Sequence, residues 1–210
     1  KETCMGFEQG EDVAKCKEVL RSGGVIAFPT DTVYGFGADI FCRDAIERIY
    51  AIKNRERDKP FLVNIGDQRV IYPYLKKITS IEKELMDTFW PGTLTIVLQV
   101  NEKVPDYIRR GHETLGVRIP NDPLALALLK DYPDPIISTS VNHSGELSSL
   151  TSVEVYDEFK SSIDYLFGND VTCSGILSTI IIVVDDKIKI LRSGASDEAL
   201  YDKFDTKIIV

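Results

Sequence analysis

The segment FPTDTVYGFG, Phe28 to Gly37, decides how the chain is read. It closes a short apolar run, Gly24-Val25-Ile26-Ala27-Phe28, of the length and composition of a buried strand. Pro29 removes a backbone donor and ends that strand. Two threonines then flank an aspartate, and a tyrosine precedes two glycines with one residue between them. Hydroxyls and glycines placed directly after a strand can line a small-ligand site, and they can equally make an ordinary turn. The remainder of the chain has to separate the two.

Upstream, Glu11 to Arg21 has Val13, Cys16, Val19 and Leu20 at helical spacing, and Gly23-Gly24 stops it. Downstream, the periodicity predicts helices over Arg43 to Lys53, Ser80 to Phe89, Pro123 to Lys130, Val153 to Lys160 and Asp197 to Lys203. Strands are predicted at Val25 to Phe28, Phe61 to Ile65, Thr93 to Val100, Leu115 to Ile119 and Ile136 to Ser138. Ile180 to Val184 and Ile188 to Leu191 form a hairpin across Asp185-Asp186-Lys187, and Lys207 to Val210 is a last strand. Strands and helices alternate, yet the helices are irregularly placed and a hairpin intrudes. That pattern predicts an α/β fold with a mixed sheet rather than a cleanly doubly wound parallel one.

The chain has 210 residues, 43% apolar and 28% charged, which suits a globular protein with a sizeable core. No apolar run approaches the roughly 20 residues of a membrane span. The first residue is Lys1, no basic-then-apolar leader opens the sequence, and a cytoplasmic location is the default expectation. A net charge of −8 disfavours nucleic acid as the main partner unless basic residues are segregated. Cys4, Cys16, Cys42 and Cys173 form no CxxC and match no zinc spacing, so reduced thiols are expected. With only His112 and His143, a histidine-rich metal site is excluded, and no metal-ligating residues are assigned.

The common phosphate and hydrolase motifs are missing. There is no GxxxxGK[ST], GxGxxG fails at its third glycine after Gly35-Phe36-Gly37, and there is no GxSxG. Other segments carry more chemistry. In KNRERDKPF, Lys53, Arg55, Arg57 and Lys59 place four cations within seven residues of an acidic chain. Arginine forks and lysine point charges divide polyphosphate binding in this way; the alternative is a solvated loop balanced by Glu56 and Asp58. STSVNHSG, Ser138 to Gly145, follows a strand with hydroxyls, an amide and a glycine, which suits a nucleotide pocket or a serine-rich turn. Arg118 lies within the apolar strand LGVRIP, where it either pairs with a core carboxylate or reaches a ligand's carboxylate. Ser178 precedes a strand, and Arg192 ends the partner strand of its hairpin.

Taken together and in order, FPTDTVYGFGAD, KNR with KPFLVNI, WPGTLTIVL, LGVRIP, STSVNHSG, STIII and ILRSGA resemble the YrdC-like family of threonylcarbamoyl-AMP synthases. The resemblance runs from about residue 23 to 195 and includes the paired elements Lys53-x-Arg55 and Ser140-x-Asn142. It implies one YrdC-like domain over residues 1–210, the single-domain form, with a twisted mixed β-sheet, flanking helices and an open ligand cavity. It implies a nucleotidyltransferase that makes threonylcarbamoyl-AMP and pyrophosphate from L-threonine, bicarbonate and ATP. Magnesium would accompany the ATP, and the product would pass to a threonylcarbamoyl transferase complex acting on tRNA.

By that resemblance Lys53 and Arg55 are catalytic. Arg55, Lys59, Thr114, Ser140, Asn142, Ser148 and Arg192 bind ATP, and Thr32, Asn64, Arg118, Ser138 and Ser178 bind threonine. The sequence departs from the family at Asn64, where many members carry a histidine; asparagine keeps the hydrogen bonds and gives up the charge. Three other readings compete. An RNA-binding module of the same fold predicts a broad basic surface. A carbamoyl-transfer relative predicts the zinc-finger and acylphosphatase-like regions of hydrogenase-maturation proteins. A generic ATP-binding protein predicts neither.

Overall fold

The computed structural model describes residues 7–169 and 171–209, so Cys4 and the Val210 end of the last predicted strand lie outside the described residues. The elements run β1 (Glu8–Gly10), α1 (Val13–Arg21), β2 (Ile26–Phe28), β3 (Gly35–Asp39), α2 (Arg43–Lys53), β4 (Leu62–Asn64), α3 (Gln68–Ile71) and α4 (Ser80–Phe89). They continue with β5 (Leu94–Gln99), α5 (Asp106–Arg109), β6 (Thr114–Arg118), α6 (Pro123–Leu129), β7 (Ile136–Ser140), α7 (Ser152–Phe159) and β8 (Tyr165–Phe167). The chain ends with β9 (Thr179–Val184), β10 (Lys187–Arg192), α8 (Asp197–Phe204) and β11 (Ile208–Ile209). Local chemistry sets several boundaries: Asp12 accepts from the Lys15 amide at 3.0 Å to start α1, and Thr79 with Glu82 and Thr151 with Glu154 form reciprocal caps on α4 and α7.

The strands form one mixed sheet in the order β1-β8-β2-β3-β7-β4-β6-β5-β9-β10-β11. Its centre mixes antiparallel pairs (β2 with β3, β3 with β7, β7 with β4, β6 with β5) and parallel ones (β4 with β6, β5 with β9). This is the mixed α/β sheet expected. Two expectations are corrected. Gly35-Phe36-Gly37 is part of a strand rather than of a turn, because β2 and β7 hydrogen-bond it on both edges. β7 runs two residues past Ser138, so Ser140 belongs to the strand for the same reason.

β3 also explains the two glycines of the opening segment. Gly37 faces the Phe28 ring and the Ile26 side chain so closely that a Cβ there would stand 2.9 Å from Ile26 Cγ1 and 3.0 Å from Phe28 Cε1. Glycine is required by close approach, not by a left-handed backbone.

Successive residues of a strand point to opposite faces, and the register aligns those faces across the sheet. Ile137, Val63, Val117, Ile96 and Ile181 are paired neighbours across five strands, each fully buried in the larger core cluster. On the opposite face α1 and α6 cover Ile26, Phe28 and Ile136 in a second cluster. That cover ends along β7: Ile136 lies beneath the helices, whereas Ser138 and Ser140, on the same face, border open space.

Candidate active site

The open space is a cavity of about 280 Å³ on the central strands. Its walls are residues that alternate with the core row: Leu62 and Asn64 on β4, Ser138 and Ser140 on β7, Arg118 on β6, Thr95 on β5. The segment after β2 adds Thr30, Thr32 and Val33, the segment before β9 adds Leu177 and Ser178, and Arg55 and Arg192 also border it. Three guanidinium groups thus share one cavity in a chain of net charge −8.

Arg118 is 5% exposed. Its Nη2 donates to Asp31 Oδ1 at 2.7 Å and its Nη1 to Thr32 Oγ1 at 3.3 Å. Burial pulls its pKa below the usual arginine range, the Asp31 carboxylate opposes that, and the charge of Arg192 adds to it. Thr30 holds Thr32 in place: the two hydroxyls are 2.9 Å apart, and Thr30 Oγ1 donates to the Val33 carbonyl at 2.8 Å. On the neighbouring strands Asn64 Nδ2 donates to Ser138 Oγ at 3.0 Å.

Arg192 reaches the cavity through a register shift in β10 between Ile190 and Arg192. Its Nη2 donates to the Ser178 carbonyl at 2.7 Å and to Ser178 Oγ at 2.9 Å. Ser178 Oγ lies 3.0 Å from Thr95 Oγ1. Burial lowers the pKa of Arg192 and, as the largest influence, that of Arg55.

Asn54 closes α2 in a left-handed conformation, with φ 48°, which turns Arg55 back toward the sheet. Arg55 then donates to the carbonyls of Lys59 and Pro60 at 3.3 and 3.2 Å. Lys53 takes another direction. It is 2% exposed, does not border the cavity, and donates to the Ser140 carbonyl at 2.5 Å, the Asn142 carbonyl at 3.0 Å and Asn142 Oδ1 at 2.6 Å. Burial, and then the Arg55 charge, pull its pKa down to about 7. Asn142 Oδ1 also accepts from Ser140 Oγ at 2.8 Å, so Lys-x-Arg and Ser-x-Asn meet in one hydrogen-bonded knot.

The cavity therefore gathers Thr32, Arg55, Asn64, Arg118, Ser138, Ser140, Ser178 and Arg192, whereas Lys53 and Asn142 stand behind its wall. Lys59 is solvent-facing and paired with Glu56 at 2.6 Å. Ser148 borders a second cavity of about 480 Å³ that shares Val33 and Leu177 with the first. Thr114 lies at the other end of β6, opposite Gln99, on the face that carries Arg118. Sequence reading passed over Asp31 and Thr95. Thr95 is a polar residue within Leu94-Thr95-Ile96-Val97-Leu98, and its alternation with core residues is a usable signal. Asp31 reads as a turn residue, and only the fold brings Arg118 to it.

Among the described residues no three His, Cys, Asp or Glu side chains cluster as a metal cage. The donors around the cavity are cations, hydroxyls and an amide, which suit anions rather than a protein-held cation.

A family model described as telomere recombination, Sua5_yciO_yrdC, matches residues 18–194. The chain belongs to the Sua5/YciO/YrdC family. Among the family's curated members, the threonylcarbamoyl-AMP synthase of Bacillus subtilis is 35% identical over 183 residues, which span 87% of this chain and 53% of that protein. That of Nitrosococcus oceani is 36% identical over 148 residues, 70% of this chain and 80% of that protein. Pyrococcus abyssi Sua5, solved in complex with L-threonine, superposes with a TM-score of 0.87 at 30% identity, covering 97% of this chain and 62% of that one. The chain thus spans about half the length of the longer curated relatives that it matches. No helix among the described residues is long and apolar enough to cross a membrane.

Proposed function

We propose that this chain is an L-threonylcarbamoyladenylate synthase acting in the cytoplasm, forming threonylcarbamoyl-AMP and pyrophosphate from L-threonine, bicarbonate and ATP. The observation that carries this reading is the composition of one cavity. A buried guanidinium, Arg118, stands among hydroxyls, and two more accessible ones, Arg55 and Arg192, share the same space. The first arrangement suits a hydroxy amino acid and the second a polyphosphate. Similarity to threonylcarbamoyl-AMP synthases and to a threonine-bound relative supports it.

In this mechanism Arg118 forks the α-carboxylate of threonine, and Thr32, Asn64, Ser138 and Ser178 surround its side chain. The threonine nitrogen bonds to the carbon of bicarbonate with loss of water, giving an N-carboxylate. An oxygen of that carbamate attacks the α-phosphorus of ATP, the bond to the bridging oxygen breaks, and the electron pair leaves on pyrophosphate. Arg55 and Arg192, with solvent-facing Lys59, stabilise the charge that builds on the departing phosphates. Ser140 in this cavity, Ser148 in the adjoining one and Thr114 farther along β6 complete the nucleotide site, and Lys53 and Asn142 brace Ser140 from behind the wall. The carbamate is itself the nucleophile, so catalysis consists of positioning and charge stabilisation. Magnesium would accompany ATP as its counter-ion, neutralising phosphate charge beside Arg55 and Arg192. The product is consumed by a threonylcarbamoyl transferase complex that modifies tRNA; the net charge of −8 disfavours direct tRNA binding by this chain.

The test is incubation with ATP, magnesium, threonine and labelled bicarbonate, with mass spectrometry of the products. Labelled threonylcarbamoyl-AMP is the expected result. Pyrophosphate release that does not depend on bicarbonate or dissolved CO2 overturns the mechanism.

A further inference from the structure

Arg55 stands at the end of a stack that runs through Phe61 and Tyr50 to Arg110. Its guanidinium lies 5.3 Å from the centre of the Phe61 ring. Phe61 stacks on Tyr50 with ring centres 4.2 Å apart and 30° between planes. Arg110 covers the other face of Tyr50 at 4.6 Å and is anchored to Glu47 at 2.7 Å. Tyr50 and Phe61 are 2% and 3% exposed, so the stack cannot relax into solvent.

Tyr50 is linked to Arg55 by two further routes, one direct and one through a shared acceptor. Its backbone carbonyl accepts the Arg55 amide at 3.1 Å. Its hydroxyl donates at 2.9 Å to the Lys59 carbonyl, the same oxygen that accepts Arg55 Nε at 3.3 Å. The ring of Tyr50 backs the Phe61 ring that carries the guanidinium, its hydroxyl fixes the carbonyl that accepts Arg55 Nε, and its backbone holds the Arg55 amide, although Tyr50 itself does not border the cavity.

We propose that Tyr50 is a positioning residue that fixes where the Arg55 guanidinium stands in the cavity, with Phe61 and Arg110 holding the Tyr50 ring from either side. The inference rests on the reading above, in which Arg55 meets the phosphates of ATP. A guanidinium free to rotate binds a phosphate less well than one already aimed, because ordering it costs part of the binding free energy. Arg110 is itself held in place, mostly buried and with a left-handed φ of 49°.

The test measures ATP and threonine dissociation constants by calorimetry for wild type, Tyr50→Phe, Tyr50→Leu, Arg55→Ala and the double variants with Arg55→Ala. Tyr50→Phe removes only the hydroxyl and is expected to weaken ATP binding about 2–10-fold, the value of one hydrogen bond. Tyr50→Leu also removes the ring face and is expected to weaken it further. Threonine affinity stays at the wild-type value in both. In the Arg55→Ala background either Tyr50 substitution has no further effect on ATP, because the group it positions is gone. Wild-type ATP affinity in Tyr50→Phe, or an equal loss with and without Arg55, overturns the proposal while leaving the phosphate role of Arg55 standing. ATP affinity that is unchanged in Arg55→Ala overturns both. If Tyr50→Leu does not fold, Tyr50→Phe and its double variant decide the matter alone.

Discussion

Arg118, in the cavity wall, meets Asp31 at 2.7 Å, and the second carboxylate oxygen of Asp31 is buried without a partner. The guanidinium proposed to receive a substrate carboxylate is therefore already paired with one. Five donors in a planar fork allow it to hold Asp31 from one edge and a ligand from another.

Removing Arg118 strands the Asp31 charge. Arg118→Ala is expected to destabilise the fold by about 3–5 kcal/mol, as breaking a buried pair from one side does. It should also weaken threonine by about 10–100-fold through loss of charge-assisted hydrogen bonds. Adding Asp31→Asn should restore much of the stability and none of the threonine affinity. Denaturant melts and calorimetry on the single and double variants separate the two effects. Recovery of threonine binding in the double variant would mean that the fork is only a structural ion pair.

The hydroxyls of Thr32, Ser138 and Ser178 and the amide of Asn64 should read the substrate's own hydroxyl. Valine would leave such groups unpaired, and sites built this way reject the analogue by roughly 10⁴-fold. Serine loses only a methyl contact, about 10–200-fold. The expected order in kcat/KM is threonine, then serine, with valine scarcely used. Thr32→Val should narrow the gap between threonine and valine, and Arg118→Ala should weaken all three alike. Valine equal to serine contradicts this assignment.

Lys53 makes stability depend on pH in an unusual direction. Burial, and then Arg55, pull its pKa down to about 7 in the folded chain, from the 10.5 of an ordinary lysine. Between those values the unfolded chain binds the extra proton, so this group's contribution to stability rises as pH increases. Below about pH 7 the cost of burying the charge is fully present. From pH 7 to 9 wild type should gain on the order of 1–2 kcal/mol relative to Lys53→Met. A difference between the two proteins that is flat across that range contradicts a depressed lysine.

Gly37 tests the close approach of β3 to Phe28. Gly37→Ala places a Cβ against Ile26 and Phe28 at about 3 Å, tighter than real contacts. Overpacking of this kind costs about 1–3 kcal/mol. Thermal melts of Gly37→Ala and of the double variant Gly37→Ala/Phe28→Leu should show the loss and its partial relief. An unchanged melting temperature in the single variant contradicts the contact.

Helices with clear apolar periodicity were legible from the sequence: α2 over Arg43–Lys53 and α4 over Ser80–Phe89, the latter with a full capping box, have the predicted bounds. Strands that depend on distant partners were not. β3 contains two glycines of low strand propensity and is held by β2 and β7; β1 and β8 are three residues each and pair with one another across most of the chain. The short helices α3 and α5, four residues each, are below the length at which periodicity can register. At the site, motif order brought Thr32, Arg118, Ser138 and Ser178 to attention. It could not show that Lys53 turns away from Arg55, because Asn54 adopts a left-handed conformation between them.

Val117 and Arg118 are chain neighbours, one in the fully buried row and the other on the cavity face. The floor of the cavity is thus the reverse side of the core, with no hinge between them. Amides of β4, β6 and β7 should then exchange with deuterium only when the molecule unfolds as a whole, not through a local opening. A ligand resting on those strands lends its binding free energy to global stability, growing as RT ln(1 + [L]/Kd). The melting temperature consequently becomes a titration readout for any occupant of the cavity, including one that undergoes no reaction there.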